Sequence, residues 1–242
     1  MTFLRSLIFN IYLFGGTTVI AFILLILLPF SSHEMRKGSQ FWTRYVMWGM
    51  RHITGIEYEI RGLEHLPENG AIIACKHQSA WDTAIFVMLR LSTAYILKKE
   101  LTKIPFYGWY VDRSGHIAVD RSAGAGALKG MIKDVKQALE KGRNVVIFPE
   151  GTRSNPGERG EYQPGVAAIY AQSGLPIIPV ALNSGLYWGR RSFLKKKGKI
   201  IMEIMPPIET GLKRREFMDR LVNTIEDKTR ELEAEGRASL GE

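Results

Sequence analysis

From residue 55 onward, short apolar runs alternate with longer segments whose apolar positions recur every three or four residues. The stretch "IEYEIRG" (56–62) alternates apolar and polar side chains, as a strand with one exposed face does. By contrast, "GAIIAC", "TAYILK", "HIAVD", "NVVIF" and "PIIPVAL" have continuous apolar centres, the pattern of strands covered on both faces. Between them, "AGALKGMIKDVKQALEKG" carries the clearest helical spacing and stops at Gly142. "PGVAAIYAQSG" reads as another helix, with Pro164 near its start and Gly174 at its stop. "GKIIMEIMPPI" is a late strand, and "KRREFMDRLVNTIEDKTRELEAEG" a charged C-terminal helix. No internal repeat, low-complexity tract or long linker interrupts the series. This alternation predicts one α/β domain over residues 55–242, with a mostly parallel mixed sheet flanked by helices.

Residues 1–54 follow a different pattern. "FLRSLIFNIYLFGGTTVIAFILLILLPF" holds one charge, Arg5, and residues 6–30 supply the roughly 20 apolar positions that cross a bilayer. The run ends in Leu28-Pro29-Phe30 rather than in small residues suited to cleavage, so a retained hydrophobic membrane-anchoring helix is expected. Gly15-Gly16 permit a bend at its middle, which would let the segment dip into one leaflet instead of spanning. Arg36, Lys37, Arg44 and Arg51 follow with few acids, which puts the next domain on the cytoplasmic face. In "FWTRYVMWGMRHITG" (41–55), Trp42, Tyr45 and Trp48 interleave with Arg44 and Arg51. Two readings stand: an interfacial membrane segment, or an amphipathic helix packed on the domain.

Charge narrows the partners. The 33 lysines and arginines exceed the 24 acids and give a net charge of +9, which suits an anionic partner such as a phospholipid surface, a phosphorylated substrate or an acidic carrier. Nucleic acid is not expected, because no recognised reading module accompanies the charge. The single cysteine, Cys75, excludes an internal disulfide and a cysteine-rich metal site, and its apolar setting predicts a buried, inert thiol. The five histidines are scattered, so no metal site is expected. Gly124, Gly126 and Gly130 are one residue too widely spaced for a dinucleotide-binding turn, and no P-loop or Gly-x-Ser-x-Gly elbow occurs.

In "ACKHQSAWDTAIF" (74–86), His77 ends an apolar run and Asp82 follows five residues later. On one α-helix such a pair would stand roughly 140° apart, so the two meet only if His77 lies in the loop and Asp82 in the first helical turn. Ser79 is a natural N-cap, and Ser79-x-x-Asp82 has the form of a capping box. Asp82 is then either a cap alone or a cap that also orients the imidazole. With no serine nucleophile nearby, a His–Asp pair can take a proton from a substrate hydroxyl that attacks a carbonyl such as a thioester. "NVVIFPEGTRS" places Glu150, Gly151, Thr152 and Arg153 just past a buried strand, where open α/β sheets bind ligands. Arg153 can grip a phosphate through paired hydrogen bonds, or pair with Glu150 to brace the loop.

Four stretches in this order resemble the blocks of the glycerolipid acyltransferase family, which contains bacterial 1-acyl-glycerol-3-phosphate acyltransferases. They are "KHQSAWD", "GHIAVDR" (115–121), "FPEGTRS" and "LPIIPVAL" (175–182), and "LKKELTKIPFYGW" resembles the family's connecting segment. The resemblance covers about residues 55–210. It implies transfer of a fatty acyl group from acyl-CoA or acyl carrier protein to the sn-2 hydroxyl of lysophosphatidic acid, forming phosphatidic acid. It makes His77 the general base and Asp82 its orienting partner. Glu150, Gly151 and Arg153 would belong to the glycerophosphate site, with Asp120 and Arg121 beside it and Lys98 or Lys99 adding charge. No cofactor beyond the thioester co-substrate is implied, and the location would be a bacterial inner membrane, among its phospholipids. The chain departs from the family at Lys76, where asparagine is usual, and at Ala118, where a larger residue is. Two rivals stay open: another acceptor, glycerol-3-phosphate or a different lyso-lipid, and a non-catalytic lipid-binding protein. "GRRSFLKKKGK" (189–199) is either a membrane-facing or carrier-facing loop or an ordinary solvated one.

Overall fold

The structure, a computed structural model, describes residues 1–90, 92–105, 107–120 and 124–241. The apolar runs form the strands β1 (Ile56–Arg61), β2 (Ile72–Cys75), β3 (Thr93–Lys98), β4 (Ile117–Val119), β5 (Asn144–Ile147), β6 (Ile177–Leu182) and β7 (Gly198–Ile204). Helices precede and alternate with them: α1 (Thr2–Leu24), α2 (Ser32–Gly49), α3 (Trp81–Leu89), α4 (Tyr107–Ser114), α5 (Gly124–Glu140), α6 (Gly165–Ser173) and α7 (Arg214–Leu240). The sheet order is β1-β7-β6-β2-β5-β3-β4. Every neighbouring pair is parallel except β6 with β7, which gives the mostly parallel mixed sheet.

β2 is central, between β6 and β5, and its side chains are at most 1% exposed. Its alternation divides the core. Ile73 and Cys75 join Trp81, Ile85 and Phe86 of α3 and Val46 and Met47 of α2 on one face. Ile72 and Ala74 join α5, α6 and α7 on the other, through Val135, Ile169 and Leu221 among others. Burying one such aliphatic side chain stabilises the fold by about 1.5–3 kcal/mol, so strands of this composition are stable only when sandwiched. Burial also raises the pKa of the Cys75 thiol, in keeping with an inert residue.

The residues 2–27 form a helix of 26 residues containing an 18-residue stretch of mean hydropathy 2.1, the one helix among the described residues long and apolar enough to cross a membrane. It runs unbroken through Gly15-Gly16, where the sequence permitted a bend. Gly16 instead admits Tyr45 of α2 so closely that a Cβ would collide with its ring. The Tyr12 and Tyr45 rings stack at 4.1 Å, and each hydroxyl donates to the other residue's carbonyl, at 2.9 and 2.6 Å. The 41–55 stretch lies in α2 and the π-turn after it; Val46, Met47 and Met50 are buried against the domain while Phe41 and Trp48 stay exposed. α4 carried no usable sequence signal: its eight residues are too few to display a period. Tertiary contacts hold it, with the Tyr110 hydroxyl donating to Ala21 O and Arg113 Nε to Phe30 O at 3.1 Å.

Candidate active site

Because β2 and β5 are parallel neighbours, the loops that follow them leave one edge of the sheet side by side. His77 stands in the first loop, at 9% exposure. Its Nδ1 lies 3.0 Å from Asp82 Oδ2. Asp82 is fully buried, and its Oδ2 also accepts from Gln78 N and Ser79 N, each at 2.7 Å, while Oδ1 accepts from Ser184 Oγ at 2.6 Å. An ionised carboxylate only accepts, so this contact puts the imidazole proton on Nδ1 and leaves the Nε2 lone pair available. Among the described residues Nε2 has no hydrogen-bond partner. The ring is stacked on Phe148, centroids 4.0 Å apart at 21°.

The capping box differs from the expected one. α3 begins at Trp81, with Ala80 at its N-cap, so Asp82 is the second helical residue rather than the third. The reach-back of Asp82 to Ser79 N is present, but Ser79 Oγ accepts from Trp81 N at 3.2 Å instead of from Asp82 N. Pulling the carboxylate back over residues 77–79 is what allows one oxygen to serve both the helix start and the imidazole.

The second loop grips the backbone of the first. Glu150 Oε2 accepts from His77 N at 2.9 Å, and His77 O accepts from Ser154 N at 2.9 Å. Glu150 Oε1 meets Lys76 Nζ at 2.8 Å, and that ammonium also reaches Glu226 Oε1 at 2.8 Å and Glu158 O at 3.2 Å. Lys76 is wholly buried in this arrangement, with Glu150 at 4% exposure. Gly151 turns the chain at φ 68°, a left-handed conformation that favours glycine, and its N–H bonds Phe148 O at 2.9 Å. Thr152 is exposed and Arg153 half-buried. Among the described residues no carboxylate pairs with Arg153, so the Glu150–Arg153 brace is not formed. Burial lowers the Arg153 pKa, Asp82 acts against this, and Arg190 and Arg191 lower it further.

Beside these loops runs a groove of about 830 Å³, which passes Ala80 and Arg153, the apolar side chains Ile11, Phe14 and Trp188, and the cations Arg191 and Lys195. The "GRRSFLKKKGK" segment forms one wall and is docked on α1: Lys195 N bonds Ser6 Oγ at 2.9 Å, and the Phe3 and Phe193 rings are 5.3 Å apart. Lys98 is exposed at the end of β3, and Lys99 pairs with Asp120 at 3.4 Å on the exposed surface. β3 and β4 are two and three strands from β2, which puts this pair roughly 10–14 Å along the same edge. Arg121 lies outside the described residues. Sequence reasoning missed Ser184, Gln78, Glu226 and Glu233 as parts of the site; only Ser184 carried a hint, in the Asn-Ser-Gly turn that follows "LPIIPVAL".

A family model described as acyltransferase matches residues 57–183, and the chain belongs to that family. A 1-acyl-sn-glycerol-3-phosphate acyltransferase of Pseudomonas aeruginosa is 37% identical to it over 206 residues, covering 84% of this chain and 80% of that protein. The enzyme of the same name from Limnanthes alba is 33% identical over 209 residues, 85% of this chain and 73% of its own. The crystal structure of the 1-acyl-sn-glycerophosphate acyltransferase PlsC from Thermotoga maritima superposes with a TM-score of 0.75 over 97% of this chain and 98% of that one. At 22% identity, that likeness speaks for the fold.

Proposed function

We propose that the chain acylates the sn-2 hydroxyl of lysophosphatidic acid with an acyl thioester of coenzyme A or acyl carrier protein, forming phosphatidic acid. The observation that carries this reading is the His77–Asp82 pair, held at 3.0 Å beside a groove that is apolar along α1 and cationic at Arg153. The relatives' shared name points to the acceptor. His77 Nε2 takes the hydroxyl proton as the oxygen attacks the thioester carbonyl, and Asp82 stabilises the imidazolium that forms. The tetrahedral adduct collapses, the C–S bond breaks, and the imidazolium returns its proton to the departing thiolate. The balance needs neither a metal nor an acyl-enzyme.

Arg153, with Arg190 and Arg191 near it, is assigned to the acceptor phosphate, and Lys98, Lys99, Asp120 and Arg121 to its periphery. Glu150, through its bonds to Lys76 and His77 N, is assigned to holding the histidine loop against Gly151 and Thr152. The apolar N-terminal helix associates the protein with a membrane. The basic flank at Arg36, Lys37, Arg44 and Arg51 supports a catalytic domain on the cytoplasmic face of an inner membrane.

The test is acyl transfer by purified protein in detergent, with lysophosphatidic acid and each thioester, beside His77→Ala. Loss of general-base catalysis is expected to lower kcat by about 10²–10⁴-fold in a variant that stays folded. Equal rates in both proteins would remove His77 from the mechanism. Product from glycerol-3-phosphate alone would move the acceptor.

A further inference from the structure

Both sequence neighbours of His77 are held by one distant helix. On α7, Glu226 and Glu233 are seven residues apart, close to two turns, and so share a face about 10 Å apart along the axis. Both are buried, at 9% and 5% exposure. Glu226 Oε1 accepts from Lys76 Nζ at 2.8 Å and from the Tyr162 hydroxyl at 2.9 Å. Glu233 Oε1 accepts from Gln78 Nε2 at 2.6 Å, and its Oε2 from Gly157 N at 2.7 Å. The far end of the Gln78 amide is fixed as well, because Gly185 N donates to Gln78 Oε1 at 3.1 Å. Gln78 N is in turn a donor to Asp82 Oδ2, the oxygen that His77 meets. α7 lies wholly outside residues 57–183, the span matched by the family.

We propose that α7 is a positioning clamp for the histidine loop, with Glu233 as its principal residue. By fixing the Gln78 side chain, Glu233 sets the backbone that supplies Asp82's donors and thereby the His77 ring. Docking a helix on a sheet needs only apolar contacts, and α7 has these through Phe217, Leu221, Ile225 and Leu232. Buried carboxylates are costly unless their oxygens meet donors. Two of them, spaced to reach both neighbours of one histidine, contribute direction where the apolar contacts contribute adhesion. Only the kinetic consequence rests on the acyltransfer reading; the geometric one stands apart from it.

Glu233→Gln is isosteric, yet its amide must turn an NH2 toward either Gln78 Nε2 or Gly157 N, so that donor faces donor. The exchange of Gln78→Glu together with Glu233→Gln restores the match: the amide at 233 donates to the carboxylate at 78. Oxygens remain at both positions for Gly157 N and Gly185 N. Full-length wild type, Glu233→Gln and the double exchange are compared in detergent by acyl transfer and by amide hydrogen exchange over residues 76–79. For Glu233→Gln the clamp predicts kcat about 10-fold lower at unchanged acceptor KM, and exchange in that segment about 10-fold faster. Both return to within about 3-fold of wild type in the double exchange. Gln78→Met cuts the same link from the other side and serves if Glu233→Gln fails to fold.

Unchanged exchange over 76–79 overturns the clamp whatever the kinetics. Faster exchange with unchanged kcat overturns it too, since α7 would then be structural support alone. Absence of transfer by the wild type overturns the acyltransfer reading, and the exchange comparison still decides the clamp.

Discussion

The loop that carries His77 and the loops that line the groove answer their charges in opposite ways. In residues 76–82 each charge is met inside the protein: Lys76 by Glu150 and Glu226, Asp82 by two backbone amides, Ser184 and His77. Arg153 and Arg191 along the groove, and Arg190 next to them, have no carboxylate partner among the described residues, and burial, with Arg190 and Arg191 beside it, lowers the Arg153 pKa. Arg191 even holds a left-handed φ of 53°, the one non-glycine to do so among the described residues. The groups that orient the imidazole are satisfied by the protein's own chain, while the arginines beside the groove are left for a ligand to satisfy. On the proposed acyltransfer reading, that division would hold the general base in place and leave binding energy to be gained where a phosphate arrives.

The sharpest way to break this contrast is Lys76→Met. It leaves two buried carboxylates, Glu150 and Glu226, facing each other without a cation, and breaking such a buried pair costs about 3–5 kcal/mol. Thermal unfolding is expected to drop by many degrees; a variant as stable as wild type would show that the triad is not balanced by this ammonium. Ser184→Ala comes next. It strips the donor from Asp82 Oδ1 and is expected to cost about 1–3 kcal/mol by chemical denaturation. An unchanged midpoint would mean that solvent replaces the hydroxyl.

On the groove side, Arg153→Ala should raise the acceptor KM about 10–100-fold with little change in stability, because a charge-assisted phosphate contact is worth about 1.5–3 kcal/mol. A lowered kcat at constant KM would move Arg153 from binding to chemistry. The smallest effect concerns His116, whose Nδ1 accepts from Tyr95 N at 3.2 Å. Burial, then Arg143 and Arg36, push its pKa from 6.5 down to about 3. It folds neutral and must lose that state on protonation, so its contribution is complete above pH 6.5 and fades as pH falls toward about 3. Between pH 6.5 and 5 the slope from this group is at most about 1.4 kcal/mol per pH unit, and His116→Gln should flatten it. An identical pH profile in that variant would assign the dependence to other groups.

Much of this was legible along the chain. The strand cores were visible because a strand buried on both faces must be apolar throughout, as "GAIIAC" and "PIIPVAL" are. The meeting of His77 and Asp82 was legible from a short loop before a helix start, since local geometry alone brings residues five apart together. α4 and the continuity of α1 past Gly15-Gly16 were not legible, because contacts with distant residues decide both. Glu226 and Glu233 looked like solvated charges on a C-terminal helix; nothing in their local pattern separates them from Glu231, which is exposed.

The sequence by itself determined the α/β alternation, the apolar N-terminal helix, the excess of positive charge and the His–Asp pair, because each depends on neighbours within a turn or two of chain. Tertiary structure alone decided which cations are answered and which are left open. Lys76 is buried because α7, folding back 150 residues later, delivers Glu226 to its ammonium, whereas α7 meets the Arg153 loop at the Gly157 amide and not at the Arg153 guanidinium. Long-range pairing of charge depends on how the sheet stacks its helices, and that order is written in no local stretch of residues.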